Sequence, residues 1–522
     1  MTETPDIRVV ADITRHHAAR RPDKIALHFQ GRETTYGELE VRANRVANAL
    51  IAAGLRPGDR VALMAKNQDR FFDLFFGAAK AGAVLVPINF RLAPPEVAYI
   101  VNDATARLLV VGTDYHDLVA GIRDELSSVE TVLAFDGGHD TWPAYDNWRD
   151  AACGDDPSVP IGLDDVAMQL YTSGTTGHPK GAQLSHRNLM TILAVAPSLW
   201  HDWNPTDVVN VASPLFHVAG CEWAILGLYV GAKNVVMAEV DPAEILASIR
   251  EHGVTRALFV PAIILFLLQH PDCARTDFST LKEIYYGASP IPLPVLEEAL
   301  HVFGCGFIHL YGLTETTGAV TWMGPEDHDP SLGERLKSCG KALPTCEIRV
   351  VDEDGRDCPP GTVGEIVCKS AQNMVGYWNQ PEENARTLRG DWFHTGDAGY
   401  FDADGYLYIY DRVKDMIVSG AENVYPAEVE SALMAHPDIQ DVAVIGVPDD
   451  KWGEAVKAVV VTRPGIEIAA DEVVAFARQR IAGYKVPKSV DFAAELPRNP
   501  SGKILKRELR RPYWEGQERQ VH

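Results

Sequence analysis

The chain has 522 residues, 46% of them hydrophobic, which suffices for several compact units at ~100–200 residues per domain. Seventy-two acidic against 48 basic residues leave a net charge of −24, excluding a general nucleic-acid or anionic-membrane binder, since both need a basic surface to displace counterions. The eight cysteines are scattered, with no C-x-x-C pair and no histidine pair at zinc spacing, so neither a disulfide framework nor a zinc site is expected.

The N-terminal stretch MTETPDIRVVADITRHHAARRPDK is charged and lacks an apolar signal core. YGELEVRANRVANALIAAG has helical periodicity and ends at glycine, whereas RVALMAK and AVLVPINF are short β-rich runs, so the first part of the chain predicts alternating α/β structure. The most apolar run, ALFVPAIILFLLQHP, falls short of the ~18–20 residues of a membrane span and is broken by Pro261. A soluble, cytoplasmic protein is expected. Between about residues 340 and 411, short strands and turns (CEIRVVDEDGRDCPPGTVGEIVCKS, then GYLYIYDR) predict a small β-rich subdomain. Helix and strand alternate again from about residue 425, which predicts a large unit over 1–411 and a small α+β unit over 412–522, joined near DRVKD. The basic end, KILKRELRRPYWEGQERQ, reads as a solvated helix.

The stretch YTSGTTGHPKG begins just after an apolar run at residue 171. Gly174 and Gly177, with Ser173, Thr175 and Thr176, let the backbone turn sharply and offer N–H groups and hydroxyls to an anion, with Lys180 as a mobile counter-charge. It is not a Walker A loop, because Pro179 precedes the lysine and Gly181 follows it, where that loop needs a helix start. Alone, the stretch suits a Ser/Thr/Gly surface loop as well as a phosphate cradle.

Downstream, in order, stand PLFHVAG, YGASP, YGLTE, DWFHTGD, DRVKDMIVSG and NPSGKILKR. With the phosphate-loop stretch, this ordered set closely resembles the adenylate-forming superfamily of acyl-CoA synthetases, peptide-synthetase adenylation domains and firefly luciferase, over roughly residues 10–511. The resemblance implies an α/β fold with a large N-terminal domain of two α/β subdomains plus a small β-rich subdomain, followed by a small mobile C-terminal domain. It implies ATP and a carboxylic acid as reactants, with Mg²⁺ as cofactor.

It also assigns roles. Thr172, Ser173, Gly174, Thr175, Thr176, Gly177 and Lys180 would form a lid over the β- and γ-phosphates. Gly287, Ala288 and Ser289 would flank adenine, Tyr311 stack on it beside Gly312, and Thr314 bond the α-phosphate. Glu315 would be an oxygen ligand of Mg²⁺, with Thr176 a weaker one. Asp397 would accept from both ribose hydroxyls, and Arg412 contact ribose or phosphate. Lys503 would reach from the small domain to the substrate carboxylate and α-phosphate, stabilising charge as the carboxylate attacks phosphorus. Lys414 would be the hinge about which the small domain turns, bringing Ser419, Gly420 and Ala421 to the thiol path.

The acyl pocket would be lined by His217, Val218, Gly220, Cys221 and Gly312. His217 stands where amino-acid-activating relatives carry an aspartate, and Gly312 where acetate-specific ones carry a tryptophan, so an amino acid and acetate are both disfavoured. VPAIILFLLQ lacks an arginine for a second carboxylate. A medium or longer fatty acid is expected, with aryl, cinnamate-like and sterol-side-chain acids as alternatives. Coenzyme A is expected as acceptor, a free-standing carrier protein being the alternative and a homodimer compatible with either. A non-catalytic nucleotide-binding scaffold would be expected to have lost Lys503, Glu315 or Asp397, and all three are present.

Overall fold

The computed structural model describes residues 7–172, 179–200, 202–289, 291–412, 417–419, 422–424, 426–449, 453–481, 483, 485–498 and 504–515. Two large sheets dominate. In the first, strands Val84–Pro87, Arg60–Met64, Leu108–Val111 and Thr131–Ala134 run parallel, and Val166–Thr172 lies parallel to Val84–Pro87. Parallel strands are covered on both faces, and the burial shows it. Val61, Leu63 and Leu85 enter one core while Ala62, Met64 and Val86 enter another, the period-two alternation of a strand.

The second sheet carries parallel strands Gly306–Leu313, Glu283–Gly287, Arg256–Phe259, Val208–Val211, Lys233–Val236 and Ile25–Phe29, with antiparallel strands at its edges. One continuous core joins the two sheets: Leu63 and Leu85 from the first and Val209, Tyr285 and Ile308 from the second share it with the helices between them. Those helices are Tyr36–Ala52, Arg70–Ala81, His186–Leu199 and Val218–Val230.

The first of them starts where the sequence specifies a start. Thr35 accepts from the Glu38 amide, Glu38 reciprocates to the Thr35 amide, and such a cap contributes ~1 kcal/mol. The apolar run at 257–271 resolves into strand Arg256–Phe259 and helix Pro261–Gln269, with Pro261 at the helix start, where its missing N–H costs nothing. Among the described residues, no helix is long and apolar enough to cross a membrane.

The β-rich segment is an antiparallel sheet of Cys346–Val351, Gly364–Ser370, Trp392–Phe401, Leu388–Arg389 and Leu407–Arg412. The C-terminal part has its own sheet, in which Ile439–Asp449 and Gly453–Thr462 are antiparallel, and its own core around Val442, Val444, Val456 and Val473. One expectation is corrected here. The basic helix Lys506–Trp514 is not simply solvated, because Leu509 and Tyr513 pack on the C-terminal core and the Trp514 indole donates to the Gly446 carbonyl at 3.0 Å.

Candidate active site

A cleft of about 3810 Å³ runs along the ends of the strands. That is several times the ~300–1,000 Å³ of a pocket for one small ligand, so it has room for more than one reactant at once. Thr172, Lys180, Thr314 and Glu315 line it together with Gly287, Ala288 and Ser289, although they come from distant parts of the chain.

The phosphate-loop stretch connects an antiparallel pair of strands, Val166–Thr172 and Lys180–Ser185, with Thr172 opposite Lys180. It therefore does not lead from strand to helix, in keeping with the rejection of a Walker A loop. Ser173, Gly174, Thr175, Thr176 and Gly177 lie outside the described residues, as do Lys414, Gly420, Ala421 and Lys503.

Glu315 is nearly buried, on a short 3-10 turn after strand Gly306–Leu313. Its Oε1 accepts from the Tyr377 hydroxyl at 2.7 Å and from the Thr172 hydroxyl at 3.3 Å, and its backbone carbonyl accepts from the Met374 amide at 2.7 Å. One carboxylate oxygen is thus anchored, which fixes the direction of the other. Tyr377 was not among the sequence candidates.

Lys180 departs from expectation. It is not a mobile counter-charge but is buried, with its ammonium 2.6 Å from Glu383 and 5.5 Å from the centre of the Tyr377 ring. Burial alone would raise the Glu383 carboxyl, yet hydrogen bonds from Lys180 and Arg386 hold it below its usual value. An ammonium so poorly solvated needs a fixed partner, and the helix Pro381–Thr387 supplies it.

Also lining the cleft, Tyr311 donates to Asp397 Oδ2 at 2.9 Å. Burial, with the Asp397 carboxylate beside it, pushes the Tyr311 phenol well above its ordinary value, so it remains a donor. Asp397 stands opposite Arg412 in the antiparallel ladder, so the two predicted ribose contacts are neighbours along the backbone. Ala288 holds a left-handed φ of +65°, uncommon for a residue with a side chain, and a Cβ on Gly287 would lie 2.1 Å from the Leu310 carbonyl. The backbone of the YGASP segment is thus tightly constrained beside strand Gly306–Leu313. Ser419 ends the strand Ile417–Ser419, paired with Glu422 and Gly453.

His217 caps the helix Val218–Val230, its Nδ1 accepting from the Ala219 amide at 3.3 Å. Burial pushes the imidazole down to about 4, so it is neutral at physiological pH. His217 and Val218 line the cleft, but two predicted pocket residues do not. A Cβ on Gly220 would lie 2.2 Å from the Pro214 carbonyl, and Cys221 is fully buried against Met168. The helix rotation turns both toward the core, and Ala219, Glu222, Trp223 and Leu226 line the cleft instead. Gly312 lines the cleft too, but a Cβ there would point at the Gly318 carbonyl, 1.8 Å away, so a tryptophan could enter only if that backbone moved.

Among the described residues, no group of three or more histidines, cysteines or carboxylates could hold a metal unaided. Glu315 offers what a hard cation shared with a nucleotide takes from protein, one oriented carboxylate.

Known proteins resemble this chain over its length. A fatty acid–[acyl-carrier-protein] ligase, ScoC, of Streptomyces coeruleorubidus is 40% identical over 522 residues, covering 99% of each chain. A feruloyl-CoA synthase of Amycolatopsis sp. is 39% identical, covering 95% of this chain and 97% of its own. The crystal structure of ATP-bound MatB from Rhodopseudomonas palustris superposes with a TM-score of 0.88 at 33% identity, covering 96% of this chain and 99% of that one. The AMP-binding enzyme model matches residues 14–378 and the AMP-binding enzyme C-terminal domain model residues 428–503. On this evidence the chain belongs to the AMP-binding enzyme family and is an ATP-dependent, AMP-forming acid–thiol ligase.

Proposed function

We propose that the enzyme activates a carboxylic acid with an extended apolar portion and passes it to coenzyme A. In the first half, an oxygen of the acid attacks the α-phosphorus of ATP, forming the acyl-adenylate and releasing pyrophosphate. In the second, the thiol attacks the acyl carbon and AMP leaves. The observation that carries this reading is the convergence of Thr314, Glu315, Tyr311 and Asp397 on one cleft that is also lined by Trp223, Leu226, Ile192 and Leu193. Tyr311 and Asp397 suit an adenosine, and the apolar residues suit a hydrocarbon or ring.

Mg²⁺ would be held by Glu315 together with the phosphates, and when bound it would offset their charge. Tyr377 and Thr172 fix the anchored oxygen of that carboxylate. Neutral His217 offers no countercharge to an α-ammonium group, which supports an acid without one. Lys503 would supply the positive charge at the reacting carboxylate, and Lys414 the pivot between a large domain ending at 411 and a small one from 412.

Coenzyme A is the first reading of the acceptor, supported by Arg463, Arg480 and Arg507 on the C-terminal wall of the cleft, where its phosphates would meet positive charge. The second reading, a carrier protein, is favoured by the likeness to the Streptomyces coeruleorubidus ligase. The test supplies enzyme, ATP, Mg²⁺ and a panel of acids with either coenzyme A or a carrier protein bearing a free phosphopantetheine thiol, and follows AMP and thioester. AMP with acyl-CoA is expected; thioester on the carrier alone would replace the first reading with the second.

A further inference from the structure

The helix Val218–Val230 turns one stripe toward the cleft: Val218, Ala219, Glu222, Trp223 and Leu226. Their spacing places them on one face. Four are apolar. The fifth, Glu222, is the one acidic or basic residue of the thirteen-residue helix.

Its side chain is partly buried, and it lines the cleft. No charge or hydrogen-bond donor among the described residues compensates its burial, which pushes it up to about 8. Facing it is Gly318, at a left-handed φ of +87°, where a Cβ would lie 1.7 Å from Glu222 Oε2. The bare glycine is what leaves the carboxyl its place. A polar group set into an apolar wall without a partner costs folding free energy and returns nothing to adenylation as described above. A ligand that completes its hydrogen bonds would recover that cost.

We propose that Glu222 is a specificity-determining residue of the acyl end of the cleft, selecting acids whose tail carries a hydrogen-bond donor, a hydroxyl or an amino group, over all-hydrocarbon acids of equal size. The inference rests on the reading of the cleft as an acid-activating site. The cleft-facing stripe that carries Glu222 is otherwise apolar, which suits the tail of an acid, so the donor is assigned to the tail. A protonated carboxyl can both donate to and accept from a hydroxyl, whereas an amine takes its proton and pairs with the carboxylate. A hydrocarbon tail does neither and leaves the group dry and unpaired, and sites built for a hydrogen bond reject such analogues strongly.

The test measures acid-dependent exchange of labelled pyrophosphate into ATP on size-matched acids: a straight-chain acid with its terminal hydroxy and amino analogues, and a phenylpropanoic acid with its ring-hydroxylated and ring-aminated analogues. The wild-type enzyme is expected to favour a donor-bearing member by ~10-fold or more in kcat/KM, the scale of leaving one polar group in the site without its hydrogen bond. Glu222→Leu should reverse that preference. Glu222→Gln should keep a hydroxyl preference and lose an amino one, which tells the two donors apart and serves if the leucine variant fails to fold. Exchange with the same preference in wild type and Glu222→Leu, an amino preference that survives Glu222→Gln, or a wild-type preference for the hydrocarbon acid would overturn the inference while leaving adenylation intact. Absence of exchange with every acid would instead remove the acid-activating reading, and this inference with it.

Discussion

Replacing Tyr377 by phenylalanine removes one oxygen and keeps the ring that lies 5.5 Å from the Lys180 ammonium. What is lost is the 2.7 Å hydrogen bond to Glu315 Oε1, leaving that oxygen with the 3.3 Å bond from Thr172, near the limit of a hydrogen bond. A hydrogen bond to a charged group contributes ~1.5–3 kcal/mol, and at ~1.4 kcal/mol per decade that is roughly 10- to 100-fold. If the bond exists to aim Glu315 at a nucleotide-bound cation, the loss should appear in pyrophosphate–ATP exchange as a reduced kcat/KM for ATP, largest at limiting Mg²⁺. The KM for the acid should change little. Wild-type exchange at limiting Mg²⁺ would refute the reasoning, since Glu315 would then need no such orientation.

Lys503→Ala should abolish acyl-adenylate formation yet still convert supplied acyl-adenylate to thioester; equal loss of both halves would remove its assigned role. Glu383→Leu strands the buried Lys180 ammonium and should cost ~3–5 kcal/mol, read as a lower melting temperature, whereas an unchanged melting temperature would mean that the ammonium finds another partner. Burial pushes His17, His186, His217, His309 and His328 down to about 4 from 6.5. Between those values the unfolded chain binds more protons than the folded one, so stability should fall as pH drops from 6.5 toward 4, and a flat melting temperature across that window would contradict the assignment.

The sequence carried the membership of the cleft better than its orientation. Thr314, Glu315, Asp397 and Tyr311 were legible as cleft residues because a hydroxyl, carboxylates and an aromatic ring sit in short ordered motifs. Their mutual contacts were not, because Thr172 and Glu315 are 143 residues apart in the chain and Tyr311 and Asp397 are 86 apart. The helix Val218–Val230 shows the limit most clearly. Its residues are nearly all apolar, so nothing in their pattern marked an inward face, and Gly220 and Cys221 were expected where Ala219 and Trp223 stand. Glu222 was the one signal available, a lone carboxylate in an apolar helix. Lys180 was misjudged for a related reason: its partner Glu383 comes from a remote helix with no motif of its own.

The most direct measurement is acid-dependent exchange of labelled pyrophosphate into ATP in the absence of any thiol. Label should enter ATP when a suitable acid is present, and AMP should accumulate once the thiol is added. Release of ADP, or no exchange by the folded enzyme with any acid of a broad panel, would contradict activation through an acyl-adenylate.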